Sequence, residues 1–487
     1  MSLSTVDPNA SLDAIVIGAG PNGLAAAIAL AQAGHSVRVY EAEHTVGGAT
    51  RSAELTQPGF VHDVAATVHA LALLSPFFLT LPLRGHGLEF VHPEAPFAHP
   101  MDDGTAVVVE RSVEQTANAL SARDGRAYRH LLEPFVENSH ALMEILLAPH
   151  SIVRPMKHPL LMASFGWRGI QSAEGLARRV FESEHTRAMF AGVSAHSMVP
   201  LDMISTAGYG LGLIISAHGV GWPVARGGSQ QLCNALASYL RSLGGEIVTD
   251  ARITSLAELP EKARAIVCDV TPRQFLHMAG DNVPSGYADK LSRYRYGPGV
   301  FKMDWALNAP VPWRADVCGR AGTVHLGGTM EEIARSERES FEGRVPEHPY
   351  VLAVQPSRFD ATRAPSGKHT LWAYCHVPNG STVDMRERME NQIERFAPGF
   401  RDCIIERSAM FPADLERGNA NLVGGDIAGG AADFAQWLAR PVLAVNPYRT
   451  AVDGVYLCSS STPPGIGVHG MCGWYAAKTV VSDFVKR

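Results

Sequence analysis

The chain lacks any pair of cysteines close enough in sequence to act as a unit. Its seven cysteines, Cys233, Cys268, Cys318, Cys375, Cys403, Cys458 and Cys472, stand singly. That excludes the C-x-x-C step of a dithiol shuttle and the ligand spacing of a structural zinc, so no metal site is expected. They read as small core residues in a reducing compartment. Positive charge is scarce as well, with 42 Lys and Arg against 48 Asp and Glu for a formal charge of -6. No diffuse positive field exists to hold a phosphodiester backbone, and nucleic acid is not an expected partner. Long apolar runs are also missing. The longest uncharged stretch, residues 203–225, contains five glycines, His218 and Pro223, and a spanning helix there would be broken and poorly apolar. The first twelve residues lack the basic flank and apolar stretch of a secretory signal, so the expected location is cytoplasmic.

What is present is an ordinary globular composition, 46% hydrophobic and 18% charged over 487 residues. That length exceeds one compact core and suggests two or three units at roughly 150 residues per domain. Residues 14–17 form a short apolar run of strand length, 24–33 an alanine-rich helical run closed by Gly34, and 37–40 a second strand. Together they make a β-turn-α-β unit of the length a right-handed crossover needs. A helix through Leu232, Leu236 and Leu240, a strand over 246–253 and another over 265–268 form a second regular stretch. A strand at 454–458 and a helix over 471–485 form a third. Between them, 76–224 and 276–440 are rich in Pro, His and aromatic residues without βαβ rhythm. Interleaving is expected, with residues 1–75, 225–275 and 441–487 in one domain and 76–224 and 276–440 in the other.

Gly18-Ala19-Gly20-Pro21-Asn22-Gly23 follows the first strand and opens the helix. Glycines there permit the tight turn, let backbone N–H groups approach a pyrophosphate, and let helix and strand pack closely, with the helix N-terminus facing the phosphates. Glu41 ends the second strand, where a carboxylate accepts hydrogen bonds from both ribose hydroxyls and repels a 2′-phosphate. Gly47-Gly48, with Ala49, Arg51 and Ser52 behind it, adds a second close backbone approach. FAD enzymes related to glutathione reductase and the amine oxidases use such a doublet, and nicotinamide enzymes have no need of it. Arg51 reads either as a phosphate ligand or as a solvated surface residue. Gly465-Ile466-Gly467-Val468-His469-Gly470 fits the same expression, but its strand ends too early and no acid follows at the required distance. It reads as a loop whose N–H groups, at the start of the last helix, stabilise negative charge on a reduced flavin ring.

With these motifs in order, along with Arg226-Gly227-Gly228 and Tyr456-Leu457-Cys458, the chain resembles the phytoene desaturase-like FAD oxidoreductases over nearly its whole length. The run from Tyr296-Gly297-Pro298-Gly299-Val300-Phe301-Lys302 to His376-Val377-Pro378 resembles the subgroup of pyridine nucleotide-disulfide oxidoreductase domain-containing proteins. The disulfide chemistry in that name has no support in the cysteine spacing. The resemblance implies an α/β fold, a Rossmann-type FAD-binding domain of glutathione reductase or amine oxidase kind interleaved with an α+β substrate domain. It implies FAD contacts at Gly18, Gly20, Pro21, Asn22, Gly23, Glu41 and Ala42, at Gly47, Gly48, Ala49 and Arg51, and at Ala66 and Thr67 beside the isoalloxazine. Further contacts fall at Ile253 near the adenine and at Ser459, Val468, His469, Gly470 and Met471. Lys302 resembles the lysine near flavin N5 in amine oxidases, with Asp304 as an alternative partner on the same strand face. His69 and His469 complete the candidate catalytic set.

The implied activity is oxidoreduction or flavin-assisted isomerisation at a C–C or C=C bond of a lipophilic, polyene-like substrate, by hydride transfer to or from flavin N5. Two other classes stand beside it. One is an amine oxidase, against which Val468 stands where those enzymes present an aromatic residue. The other is a non-catalytic protein that keeps FAD as a structural element. Residues 146–170, with Arg154, Lys157 and Arg168 among apolar side chains, read either as a peripheral membrane contact or as an ordinary packed surface helix. Oligomeric state is left open.

Overall fold

The computed structural model describes residues 12–149, 158–260 and 262–486. A parallel five-stranded sheet has the spatial order Val455–Leu457, Ala263–Cys268, Leu12–Ile17, Val37–Tyr40, Glu246–Val248. Its central strand is apolar and buried from Ala14 to Ile17, as a parallel strand covered on both faces must be. The crossover helix Pro21–Gln32 starts with proline in its first turn, where the fixed φ is pre-organised and the missing N–H costs nothing. The helix buries Leu24, Ala25, Ala26, Ala27, Ile28 and Leu30, apolar around most of its circumference because it is sandwiched between the sheet and the final helix Met471–Lys486. A Cβ on Gly473 of that final helix would lie 1.8 Å from the Asn22 carbonyl oxygen, so only glycine permits the helices to approach this closely.

One strand is shorter than its sequence pattern predicts. The stretch 246–253 leaves the sheet after Val248. Asp250 takes φ 55°, and the Ala251 N–H donates to the Glu41 carbonyl at 2.8 Å. These contacts fold the chain over the end of the sheet and place Ile253 on a loop.

The second sheet has seven strands in the order Ile404–Met410, Gly299–Leu307, His369–Val377, Val351–Val354, Ala321–Leu326, Ala95–Pro100, Ala106–Val109. Neighbours run antiparallel except Ala321–Leu326 beside Ala95–Pro100. Alternation divides its two faces. Phe301, Met303 and Trp305 join Leu371, Ala373 and Met389 in one core, while Val300, Trp372 and Tyr374 face the main core shared with the nucleotide unit. The fold is α/β, a Rossmann-type unit interleaved with an α+β unit. The uncharged stretch 203–225 contains the helix Thr206–Gly219. Among the described residues no helix is long and apolar enough to cross a membrane.

Candidate cofactor cleft and active site

A cleft of about 240 Å³ opens over the carboxyl ends of the parallel strands, the crevice where open α/β sheets bind ligands. It is lined by Gly18, Gly20, Pro21, Asn22, Glu41, Ala42, Gly48, Ala49, Arg51, Ile253 and Ser459. All of these are positions where the motifs or the family resemblance implied a cofactor contact. The crossover helix carries no side-chain cap at Gly20, which leaves its N-terminal dipole end to a ligand. A Cβ on Gly20 would come to 2.9 Å from Asp269 Oδ2, and one on Gly48, at φ 54°, to 3.3 Å from the Gly20 Cα. The two glycine turns therefore meet, and side chains would fill the space between them. Glu41 accepts the Ala19 N–H at 2.7 Å and the Glu43 N–H at 3.0 Å. Both bonds fix its carboxylate at the cleft wall with lone pairs to spare. Asn22 Oδ1 is buried without a partner. Backbone donors, a fixed acid at ribose distance along the strand and a cradle that requires glycine are the donor set an adenine dinucleotide uses, and the residues fit FAD.

Not every expected contact is free for such a ligand. The Gly23 N–H donates to Asp269 Oδ2 at 2.9 Å; its glycine is required because a Cβ would lie 2.0 Å from the Gly18 carbonyl oxygen. Arg51 is neither a solvated surface residue nor a free phosphate ligand. It donates to the carbonyls of Gly48 at 3.1 Å and Gly418 at 2.6 Å and pairs with Glu43 at 3.4 Å, tying the second glycine turn to the far wall. Gly47 lies behind the cleft, with its N–H on the Ala19 carbonyl at 2.9 Å.

Lys302 lies in the middle of the fully buried strand Gly299–Leu307. Its Nζ pairs with Asp304, whose other oxygen faces His62 Nδ1 at 3.3 Å. Desolvation lowers the lysine pKa against the pull of Asp304. The same interior holds a second ion pair, Asp63 with Arg363, fully buried on both sides. Asp63 also accepts from Ser52 Oγ at 2.7 Å, the Ser229 N–H at 2.8 Å and Thr67 Oγ1. Burial opposes the charge of Asp63, and Arg363 with these donors outweighs it, so the pKa is lowered. Thr67 thus serves Asp63, while the Ala66 N–H bonds the Ala49 carbonyl at 3.1 Å.

His69 faces Ser229 Oγ at 2.8 Å, and burial takes its pKa down to about 4. His469 is fully buried and likewise held near 4 by burial. Its Nδ1 accepts the Met471 N–H at 3.0 Å, which places the ring hydrogen on Nε2, a buried nitrogen without a partner. The Met471 N–H, expected to face a flavin ring, is therefore taken within the loop, and the His469 ring faces the Gly465 and Ile466 carbonyls of the same loop. Val468 packs partly buried against the main core.

The motif reading missed one wall of the cleft. Gly418, Asn419, Ala420, Asn421, Leu422, Ile427 and Gly429 line it, from a stretch assigned by sequence to the second unit. Asp269 was missed too. Its carboxyl sits under the first glycine turn, and burial, reinforced by the charge of Glu41, raises its pKa to about 7. The dense Asn and Gly spacing of 418–430 was the available signal, since such residues mark irregular backbone that approaches ligands closely.

The profile of the NAD(P)-binding Rossmann-like domain matches residues 16–74. A limonene dehydrogenase polypeptide of Castellaniella defragrans is 33% identical over 97% of this chain and 94% of its own length. The mouse pyridine nucleotide-disulfide oxidoreductase domain-containing protein 2 is 28% identical, covering 97% and 93%. Phytoene dehydrogenase of Streptomyces griseus is 25% identical over 97% and 96%. Among solved structures, putrescine oxidase bound to putrescine superposes with a TM-score of 0.61 at 18% identity, covering 99% of this chain and 100% of that one, a likeness of fold.

Proposed function

The chain belongs to the phytoene dehydrogenase-like family of FAD-dependent oxidoreductases, and from that premise we propose that it binds FAD in the glycine cleft and acts on a C–C or C=C bond of a lipophilic, isoprenoid-like substrate. The carrying observation is the glycine-walled cleft with Glu41 at one end and the Ser459 turn at the other. When bound, FAD supplies hydride acceptance or donation at N5. The protein's share is to hold and to exclude. Glu41 and the uncapped helix end would hold the adenosine and phosphate portion. Lys302, fixed by Asp304, holds a proton on the inner face of the seven-stranded sheet. Val68, Leu71, Ile427, Ile466 and Val468 pack partly buried on the main core. Apolar side chains of this kind exclude water and suit an apolar substrate.

The names of limonene dehydrogenase and phytoene dehydrogenase support an isoprenoid class. The deciding experiment is anaerobic bleaching of the flavin absorbance, with a terpenoid or polyene panel in one arm and an amine panel in the other. Bleaching by terpenoids alone supports this reading, and bleaching by amines alone moves the chain to amine oxidation. A flavin that responds to neither, and that oxygen and quinone fail to reoxidise after dithionite, marks a non-catalytic holder.

The helix Pro159–Gly169 exposes Leu160 by 85% and Trp167 by 75%, which supports a peripheral membrane contact for substrate entry. The basic residues Arg154 and Lys157, counted toward that contact, lie outside the described residues.

A further inference from the structure

The strand Gly299–Leu307 is buried at every residue, yet its inner face carries both members of an ion pair, Lys302 and Asp304, where apolar side chains would pack without a desolvation cost. The pair does not end in the core. His62, on the short strand His62–Asp63, brings Nδ1 to 3.3 Å from Asp304 Oδ1. Its other ring nitrogen, Nε2, lies 2.9 Å from Thr56 Oγ1. Lys302 and His62 are 1% exposed and Asp304 not at all, whereas Thr56 keeps accessible surface. Glu54 and Pro58 on either side of it are exposed. Its neighbour Gln57 donates from Nε2 to Glu406 Oε2 at 3.3 Å, on the exposed part of the strand Ile404–Met410. Lysine, carboxylate, imidazole and hydroxyl thus stand in file from the sealed face of the sheet to the surface.

The joint between Asp304 and His62 carries the most information. Asp304 Oδ1 and His62 Nδ1 are both buried, and neither has a hydrogen-bond partner. Two such atoms left facing each other cost free energy, and a hydrogen held between them satisfies both. A joint that takes up a hydrogen and gives it back is what a proton path needs between a carboxylate and an imidazole. The residues aligned with Asp304 on the flanking strands, Trp372 and Ser408, are uncharged. The nearby charges of Asp63 and Arg363 are paired with each other. Burial, which lowers the Lys302 pKa against the pull of Asp304, makes the lysine readier to release its proton than a solvated one.

We propose that Asp304, His62 and Thr56 form a proton path that connects Lys302 with solvent. This rests on the reading of Lys302 as the group that holds a proton. Conversion of a C–C bond to C=C removes a hydride, which FAD takes with both electrons, and a proton, which an apolar interior cannot solvate. The substrate C–H bond breaks as Lys302 Nζ gains the hydrogen, and the bonding pair closes the double bond. Nζ passes a proton to Asp304, and the carboxyl gives it to His62 Nδ1. The Nε2 hydrogen moves to Thr56 Oγ1, and the threonine's own hydrogen leaves to water. A turn of the imidazole restores its first tautomer. The same steps in reverse feed a proton inward for saturation of a C=C bond, and no electrons travel along the path in either direction.

The test follows the lysine hydrogens themselves and needs no substrate. In FAD-loaded protein carrying isotope-labelled lysine, the Nζ signal of Lys302 is identified by NMR as the one that Lys302→Met removes. Its exchange with solvent is expected to slow by at least about tenfold in His62→Gln, which keeps a donor and an acceptor but passes no proton across, and in Thr56→Val. Thr56→Ser should restore the wild-type rate. Amide exchange across the strand Gly299–Leu307, followed by mass spectrometry, should stay unchanged, because looser packing would speed exchange at amides and Nζ together. Thr56 lies at the surface, so its variants keep the test decisive should the buried histidine variant fold poorly. Equal Nζ exchange in the wild type and both blocking variants, or faster exchange in them together with the amides, overturns the path. A flavin that no terpenoid bleaches, in a protein whose Nζ exchange still depends on His62 and Thr56, removes the lipophilic-substrate reading and supports the path.

Discussion

The two walls that enclose the interior of this protein are made of different material. The nucleotide cleft is built from main chain: glycine turns, an uncapped helix end and one acid, all at the carboxyl ends of parallel strands. The inner face of the seven-stranded sheet is built from side chains, with two buried ion pairs and a run of aromatic and imidazole rings contributed by strands far apart in sequence. A main-chain site fails when a Cβ intrudes, whatever the polarity of the new residue. A side-chain site fails when charge or hydrogen-bonding balance is lost, and it tolerates changes of shape better. The first serves an invariant ligand, and the second is free to set what reacts.

Substitutions that intrude on one wall or unbalance the other sharpen this contrast. The largest effect is expected from Gly23→Val: with a Cβ at 2.0 Å from the Gly18 carbonyl oxygen, the turn cannot close. The purified variant should be colourless and lose FAD affinity by at least about a hundredfold with helical content retained by circular dichroism; a yellow variant would break the main-chain account. Asp63→Asn leaves the Arg363 guanidinium buried and uncompensated, and urea unfolding should show a loss of about 3–5 kcal/mol. Adding Arg363→Met should recover part of that loss. Lys302→Met should keep its flavin spectrum and slow flavin bleaching by substrate about tenfold to a hundredfold, a split between binding and rate that a purely structural lysine would not produce.

Asp269 gives a smaller and pH-dependent effect. Burial raises its folded pKa from 3.8 to about 7, so the folded protein binds a proton that the unfolded chain has released. The corresponding stability is fully present below pH 4 and is lost as pH rises to about 7. FAD retention should weaken over the same rise as the carboxylate charges beneath the phosphates, and Asp269→Asn should flatten both profiles in melts and ultrafiltration from pH 5 to 8. Arg51→Ala is expected to matter least. It frees the Gly48 and Gly418 carbonyls at the cleft edge and should raise the FAD dissociation constant only about threefold to tenfold.

The same contrast explains what could be read from sequence. Gly18 to Gly23 and Glu41 were legible because main-chain sites leave local marks: glycine at fixed offsets, a helix beginning where a strand ends, an acid closing the next strand. The pairing of the first two parallel strands, Leu12–Ile17 with Val37–Tyr40, followed from the same crossover. Lys302 and Asp304 were legible as one face of one strand, but that His62 closes the group depends on a chain separation of more than two hundred residues, on which local periodicity is silent. Arg363 carries no local mark at all. Asp269 could be placed at the end of its strand, yet its position beneath the glycine turn depends on which strands become neighbours. The strand at 246–253 was drawn too long because β-branched Val248 and Ile253 suit an extended chain, whereas the bonds from Asp250 and Ala251 to the loop after Glu41 turn it aside.

The parallel sheet has a temporal consequence. Its first strand, Leu12–Ile17, leaves the ribosome roughly 440 residues before the edge strand Val455–Leu457 and the packing helix Met471–Lys486, a delay on the order of half a minute to a minute and a half at common rates of synthesis. Until then the nascent nucleotide unit has an open edge and an uncovered alanine-rich helix. Capture of the dinucleotide therefore waits for these two elements, and removal of residues 455–486 should leave a product that accumulates without ever turning yellow.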